Sequence, residues 1–253
     1  QKRRRAARVR AHQATALRAQ RHKHPPHAAV NQPPGCGGVA RTGHGGKPLP
    51  VGPQNVGAAP PALPQRPAAA AHAAGAAAIS VLTEPEYFLG TSDYLREIRG
   101  HVSVPLLRKD FTIDPYQIFE AKVIGASAVL LICALLDTET LRTGIHLCDS
   151  LGMSALVEAH DEEEIKSALR AGARIIGVNN RNLKTFEVDF SNSIRLRNLV
   201  PEGVLFIAES GVKSAEDIRL LHNAGVDGVL IGETLMRSGS KKLILDSWKQ
   251  ACE

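Results

Sequence analysis

No acidic residue occurs in this chain before Glu84, and no Phe, Trp, Tyr, Ile or Ser before Ile79. The same front stretch, Gln1 to Gly75, holds 12 Lys and Arg and 11 of the 15 prolines. Without aromatic residues or any hydrophobic period, such a composition buries too little apolar area to offset chain entropy. Residues 1–67 are therefore read as a low-complexity basic segment with no core of its own. Three accounts compete for it. An RNA-binding tail would carry denser Lys and Arg clusters with aromatics for stacking. A transit peptide would be Ser-rich. Translation in a wrong frame, or a non-homologous start, requires neither, and these absences favour it.

Other absences narrow the class of the rest. Cys36, Cys133, Cys148 and Cys252 form no CxxC pair, which argues against a disulfide framework and against a zinc site. The expectation is no metal, no cofactor and a reducing cytoplasm. There is no run of about 18 apolar residues, and the alanine tract from Ala68 to Ala78 is broken by His72 and Gly75, so no membrane partner is expected. The net charge of +6 belongs wholly to the front: beyond Gly75, 19 basic residues face all 25 acids. A nucleic-acid partner for the body of the chain is thereby disfavoured.

What is present from about Ala68 onward is a repeating alternation. Continuous apolar runs occur at Ile79 to Thr83, Val104 to Leu107, Ala128 to Cys133, Ala155 to Val157, Ile175 to Val178, Leu205 to Ala208 and Gly228 to Ile231. Their starts are roughly 20 to 30 residues apart, the length of one strand, one helix and two loops. Continuous rather than alternating runs suit parallel strands covered on both faces. Helix punctuation falls between them. Asp114-Pro115 offers an N-cap with proline at the first helical position, Ser214 with Asp217 a capping box, and Asp161 to Glu164 an acidic first turn with Arg170 near the last. Gly75, Gly125, Gly172 and Gly225 each precede a run, where a glycine ends a helix. Seven units of this kind predict an α/β TIM (β/α)8 barrel over residues 68–253 with its first strand unrecognisable.

In such barrels the chemistry lies just beyond the C-terminal ends of the strands. The polar residues there are Glu84, Lys109 with Asp110, Glu158, Asn179 with Arg181, Glu209 with Ser210, and Gly232 with Glu233. A lysine and several carboxylates on one rim suit proton transfer. The bland alternatives are a surface Lys109 paired with Asp110, a Glu158 serving a nearby cation, and an Asn179 chosen for its loop angles.

The segments Ile79-Ser80-Val81-Leu82-Thr83-Glu84-Pro85, Leu107-Arg108-Lys109-Asp110-Phe111, Leu156-Val157-Glu158-Ala159-His160, Ile176-Gly177-Val178-Asn179-Asn180-Arg181-Asn182-Leu183, Ile207-Ala208-Glu209-Ser210-Gly211 and Leu230-Ile231-Gly232-Glu233 resemble, in order, the signature segments of the indole-3-glycerol phosphate synthases. The resemblance covers about residues 68 to 253. It implies a phosphosugar substrate, 1-(2-carboxyphenylamino)-1-deoxyribulose 5-phosphate, closed to an indole with loss of carbon dioxide and water in tryptophan biosynthesis. It further implies that Lys109 protonates the substrate carbonyl and that Glu158 is the acid or base of the dehydration. Asn179, Arg181 and Glu209 would orient the intermediate. Ser210-Gly211 and Gly232-Glu233, after the seventh and eighth strands of a full barrel, would hold the phosphate through backbone N–H groups. Phe88, Phe111 and Leu131 would wall the aromatic ring, with ordinary core packing the competing reading. Another phosphosugar barrel, phosphoribosylanthranilate isomerase, would not show the Leu-Arg-Lys-Asp-Phe and Leu-Thr-Glu-Pro segments together.

One departure matters. The family's first strand carries a Glu and a Lys and should lie about 25 residues before Ile79. This chain has Gly46-Lys47-Pro48-Leu49-Pro50-Val51-Gly52-Pro53-Gln54 there, without an acid and with prolines that disfavour a central strand. The alternative to an active synthase is therefore an impaired or silent barrel of the same family.

Overall fold

The computed structural model describes residues 65–86, 88–181, 188–189 and 191–253. What was expected of residues 1–64, and of Gly46 to Gln54 in particular, lies outside the described residues.

A short helix opens the described chain: α1 (Gln65–Ala73) places Ala68 and Ala71 one turn apart on a buried stripe. Seven strands follow, β1 (Ile79–Leu82), β2 (Leu106–Lys109), β3 (Ala128–Ile132), β4 (Ser154–Ala159), β5 (Ile175–Asn179), β6 (Leu205–Glu209) and β7 (Gly228–Leu230). Each matches one of the apolar runs. The helices between them are α2 (Ser92–Arg99), α3 (Pro115–Val123), α4 (Thr138–Ser150), α5 (Glu162–Ala171), α6 (Ser191–Arg197) and α7 (Ala215–Asn223). Two more, α8 (Glu233–Arg237) and α9 (Lys241–Gln250), complete the chain.

The capping signals act as the sequence suggests. Asp114 and Ser214 each close a reciprocal capping box, with Gln117 and Asp217 as the partners. Asp161 caps α5 above three acids, and Gly172 ends that helix in the left-handed conformation. Gly75, Gly125 and Gly225 take the same positive φ.

All strands are parallel and ordered as in the sequence. The sheet is curled. β2 and β6 are four ladder spacings apart, about 19 Å on a flat sheet. Yet Lys109 Nζ at the end of β2 lies 3.2 Å from Glu209 Oε2 at the end of β6, which only a closing barrel allows. Among the described residues β1 and β7 each have one strand neighbour. The helix layer does close across that gap, because α9 packs against α1, and Trp248 of α9 joins the core.

Side chains alternate along each strand between the barrel interior and the helix layer. Register puts Lys109 beside Leu82, Glu158 between Ile132 and Gly177, and Glu209 between Asn179 and Leu230. Arg108, one residue from Lys109, faces the helices. Its guanidinium donates to Thr83 Oγ1, Asp110 Oδ2 and the Gln117 carbonyl, and lies 2.7 Å from Glu120 Oε2. Two adjacent cations thus have opposite tasks. Arg108 ties β2 to α3, and Lys109 is left to the mouth.

Candidate active site

The C-terminal residues of β2, β4, β5 and β6 converge on one point. Lys109 Nζ lies 3.2 Å from Glu209 Oε2 and 3.4 Å from Glu158 Oε2, although 100 and 49 residues separate the partners. The three side chains are 18, 2 and 4% exposed. Asn179 hydrogen-bonds the Glu158 carboxylate with its amide, while its Oδ1 accepts from the Arg181 backbone N–H at 3.0 Å. The pairing of Lys109 with Asp110 does not occur. Asp110 accepts from Thr83 Oγ1 at 2.6 Å, from Arg108 and from the Phe111 N–H.

One cation between two buried carboxylates divides their titration. Burial pushes Glu158 up, but Lys109, His160 and the Asn179 hydrogen bond outweigh it and hold this carboxyl below its ordinary value. Glu209 has fewer compensations. Burial and the Glu158 charge push it up to about 7 against the pull of Lys109, and its Oε1 is buried without a hydrogen-bond partner. For Lys109, burial would lower the pKa, but Glu209 and Glu158 raise it above its ordinary value. Near neutral pH the cluster therefore holds a permanent ammonium, an ionised Glu158 and a Glu209 that exchanges its proton.

The raised pKa of Glu209 makes the stability of the fold depend on pH. Between about pH 4.5 and 7 the folded protein keeps a proton on this group that the unfolded chain has lost, so rising pH favours unfolding. Glu209→Gln should remove that penalty. Relative to the wild type, the variant is expected to gain on the order of 3 kcal/mol at pH 8 over its difference at pH 5. Urea unfolding at the two pH values measures this, and an equal difference at both would contradict the protonation state.

Gly177 is a site residue by what it omits. Its α-carbon faces the interior beside Glu158, and a Cβ built there would overlap Glu209 Oε1. Gly177→Ala should push Glu209 off Lys109 and cost about 1–3 kcal/mol in stability. A crystal structure of the variant with the Lys109–Glu209 contact intact would refute the argument.

Other expected residues are distributed around the rim. Arg181 lies 3.9 Å from Glu233, whose carboxylate also pairs with Arg237 at 3.1 Å. Ser210 and Gly211 both take positive φ, 66° and 91°, an uncommon conformation for serine. The Ser210 N–H donates to the Leu230 carbonyl, and Thr234 Oγ1 to the Val212 carbonyl, so the turn after β6 and the start of α8 at Gly232 and Glu233 lie side by side. Phe88 stacks on Phe111 with ring centroids 5.3 Å apart. Phe111 is fully buried, and Phe88 is the partner with an exposed face. Glu84 is turned to its own loop, where its carboxylate accepts from the Glu86 and Phe88 N–H groups.

Leu131 is a correction. It is paired one position short of the Ile132–Glu158 row, so it points away from the mouth into an apolar recess with Ile118, Leu136 and Gly144. A wall for the substrate's aromatic ring is not available from there. Sequence reasoning also gave no role to Asn180 or His160. Asn180 binds Ser193 and the Ser210 carbonyl, which ties α6 to the turn after β6. His160 stands two residues beyond Glu158, a spacing that by strand alternation points to the same face.

Fold and site together define a β/α-barrel protein with a buried lysine–carboxylate cluster at the mouth of the barrel. The family model of indole-3-glycerol phosphate synthase matches residues 57–246. This chain belongs to the indole-3-glycerol phosphate synthase family. It is 67% identical over 167 residues to the indole-3-glycerol phosphate synthase of Ruminiclostridium cellulolyticum, covering 66% of this chain and 64% of that protein. It is 56% identical over 177 residues to that of Lacticaseibacillus casei, covering 70 and 68%. The chain spans just under two thirds of the length of the first of these relatives. Solved structures agree on the fold alone. The KGPDC of Streptococcus mutans in complex with D-R5P has a TM-score of 0.59 at 13% identity, over 74% of this chain and 91% of that one. The 3-hexulose-6-phosphate synthase of Salmonella typhimurium has a TM-score of 0.57 at 14% identity, over 68 and 85%. No helix among the described residues is long and apolar enough to cross a membrane.

Proposed function

We propose that residues 68–253 form a barrel unit that closes 1-(2-carboxyphenylamino)-1-deoxyribulose 5-phosphate to indole-3-glycerol phosphate, releasing carbon dioxide and water, in the cytoplasm. The observation that carries this reading is Lys109 Nζ held within 3.4 Å of both Glu158 and Glu209 at the mouth. As the aromatic carbon attacks the substrate carbonyl, negative charge grows on the carbonyl oxygen. An ammonium that stays protonated in a buried site is suited to neutralise it and then to give the proton. Dehydration needs one group to take a proton and another to protonate the departing hydroxyl. Glu158, held ionised, suits the first task, and Glu209, exchanging near neutral pH, the second. Asn179 orients Glu158, and Arg181 faces the substrate from the neighbouring loop. Phe88, backed by Phe111, flanks the aromatic ring.

The phosphate is assigned to backbone N–H groups of the turns at Ser210-Gly211 and Gly232-Glu233, supported by the adjacency of the two turns, which the bond from the Ser210 N–H to the Leu230 carbonyl holds together, and by the positive φ of Ser210 and Gly211 in the first of them. Incubating the purified chain with the substrate and following the indole chromophore tests the reaction. A crystal soaked with the substrate should hold its phosphate between these two turns. Density for it elsewhere on the rim would reverse the proposed orientation.

A further inference from the structure

The reaction outlined above leaves one part-buried, chargeable side chain at its centre without a task. His160 lies just past β4, and its ring is held at one end by α5: Nδ1 is 3.0 Å from Glu164 Oε2, which also accepts from the His160 backbone N–H at 2.9 Å. Glu164 is itself fixed in the first turn of α5, its N–H bonded to the N-cap Asp161. At the other end Nε2 is buried with no hydrogen-bond partner and points at Glu158 Oε1, 3.4 Å away. Lys109 uses the opposite oxygen, Oε2.

We propose that His160 is a positioning residue for Glu158, the middle of a Glu164–His160–Glu158 chain that ties Glu158 Oε1 to the first turn of α5 and leaves Oε2 to Lys109 and substrate. The proposal deepens the functional reading above and rests on it for the importance of Glu158. At 3.4 Å, closer approach and alignment of the Nε2–H with Oε1 are what turn this contact into a hydrogen bond. Glu164 accepts at Nδ1 and Glu158 at Nε2, so the arrangement calls for a proton on both ring nitrogens, which is the imidazolium.

The charged and titratable groups around the ring are consistent with that state. They are Glu164 from α5, Glu158 from β4, Glu209 from β6 and, beyond the carboxylates, Lys109 from β2. Cys133, just past β3, donates its thiol to the Glu164 carbonyl, and Asn192 of α6 donates to the His160 carbonyl. Burial opposes the imidazolium, but the carboxylates outweigh it and raise the ring above its ordinary value.

The test pairs a titration that needs no turnover with kinetics. In the full chain labelled with ¹⁵N-histidine, Glu158→Gln and Glu164→Gln should each lower the His160 midpoint by about 0.5–1 pH unit. An unmoved midpoint in Glu158→Gln would overturn the proposal whatever the activity. His160→Leu should reduce kcat about 10-fold with KM within about 2-fold, and should move the acid limb of the kcat profile upward. His160→Gln, which retains a donor, should recover part of the loss. A fall in kcat with the limb unmoved and no recovery by Gln would make the role merely structural. A wild-type chain with no turnover would refute the functional reading, while the titration would still decide the contact.

Discussion

Replacing Lys109 with methionine is expected to reduce indole-glycerol phosphate formation by about 10²–10⁴-fold, the range for losing a positioned proton-transfer group. The stem of the side chain is kept, so the change isolates the ammonium. Without it Glu158 and Glu209 face each other in a nearly closed site, and two carboxylates there cannot both remain ionised. One takes up a proton, and the variant's pH profile should show a carboxyl titrating well above the ordinary range. Breaking a buried ion pair by removing one partner costs about 3–5 kcal/mol. That loss should be largest at high pH, where the carboxylates are charged, and should fade toward pH 4. Urea unfolding across pH together with steady-state rates checks both parts. A surface lysine paired with Asp110 would behave differently, with a stability change within about 0.5 kcal/mol and an unaltered rate. That result would remove Lys109 from the site.

The second large effect concerns the gap between β7 and β1. Among the described residues each of these strands has a single neighbour, although α1 and α9 already meet in the helix layer outside them. One more parallel strand would complete the eight of the barrel. The residues at the spacing of that strand, Gly46 to Gln54, contain no acid, and their prolines remove ladder donors. The family resemblance implies a Glu and a Lys on the first strand, and a preorganised charge of that kind is worth about 10²-fold or more in rate. Replacing residues 1–64 with the front segment of a typical family member is therefore expected to raise turnover about 10²-fold. Affinity for inorganic phosphate should change little, because its assigned site lies on the turns after β6 and β7. Equal turnover by the two chains would mean that the rim formed by β1 to β7 suffices.

The seven strands could be read from sequence because a strand buried on both faces needs an uninterrupted apolar run, and each run here is bounded by a helix cap or a glycine. The rim residues were legible for a related reason. Lys109, Glu158, Asn179 and Glu209 stand at the ends of such runs, where an apolar pattern breaks into polar residues, and the motifs around them carry the family resemblance. Strand alternation was equally available, and it would have placed Leu131 on the helix side and His160 with Glu158.

Which oxygen meets which partner was decided only by the tertiary structure. Contacts between groups 49 and 100 residues apart depend on how far the sheet curls and how its register staggers, and no local pattern encodes either. The same holds for the protons. Glu158 and Glu209 look alike in sequence, each following an apolar run at a strand end. One is held ionised by Lys109, Asn179 and His160. The other, with an unpartnered oxygen over Gly177, keeps its proton to about pH 7. Residue type set what these groups can do, and the dielectric and charges around each, which exist only once the barrel has closed, set what each one does.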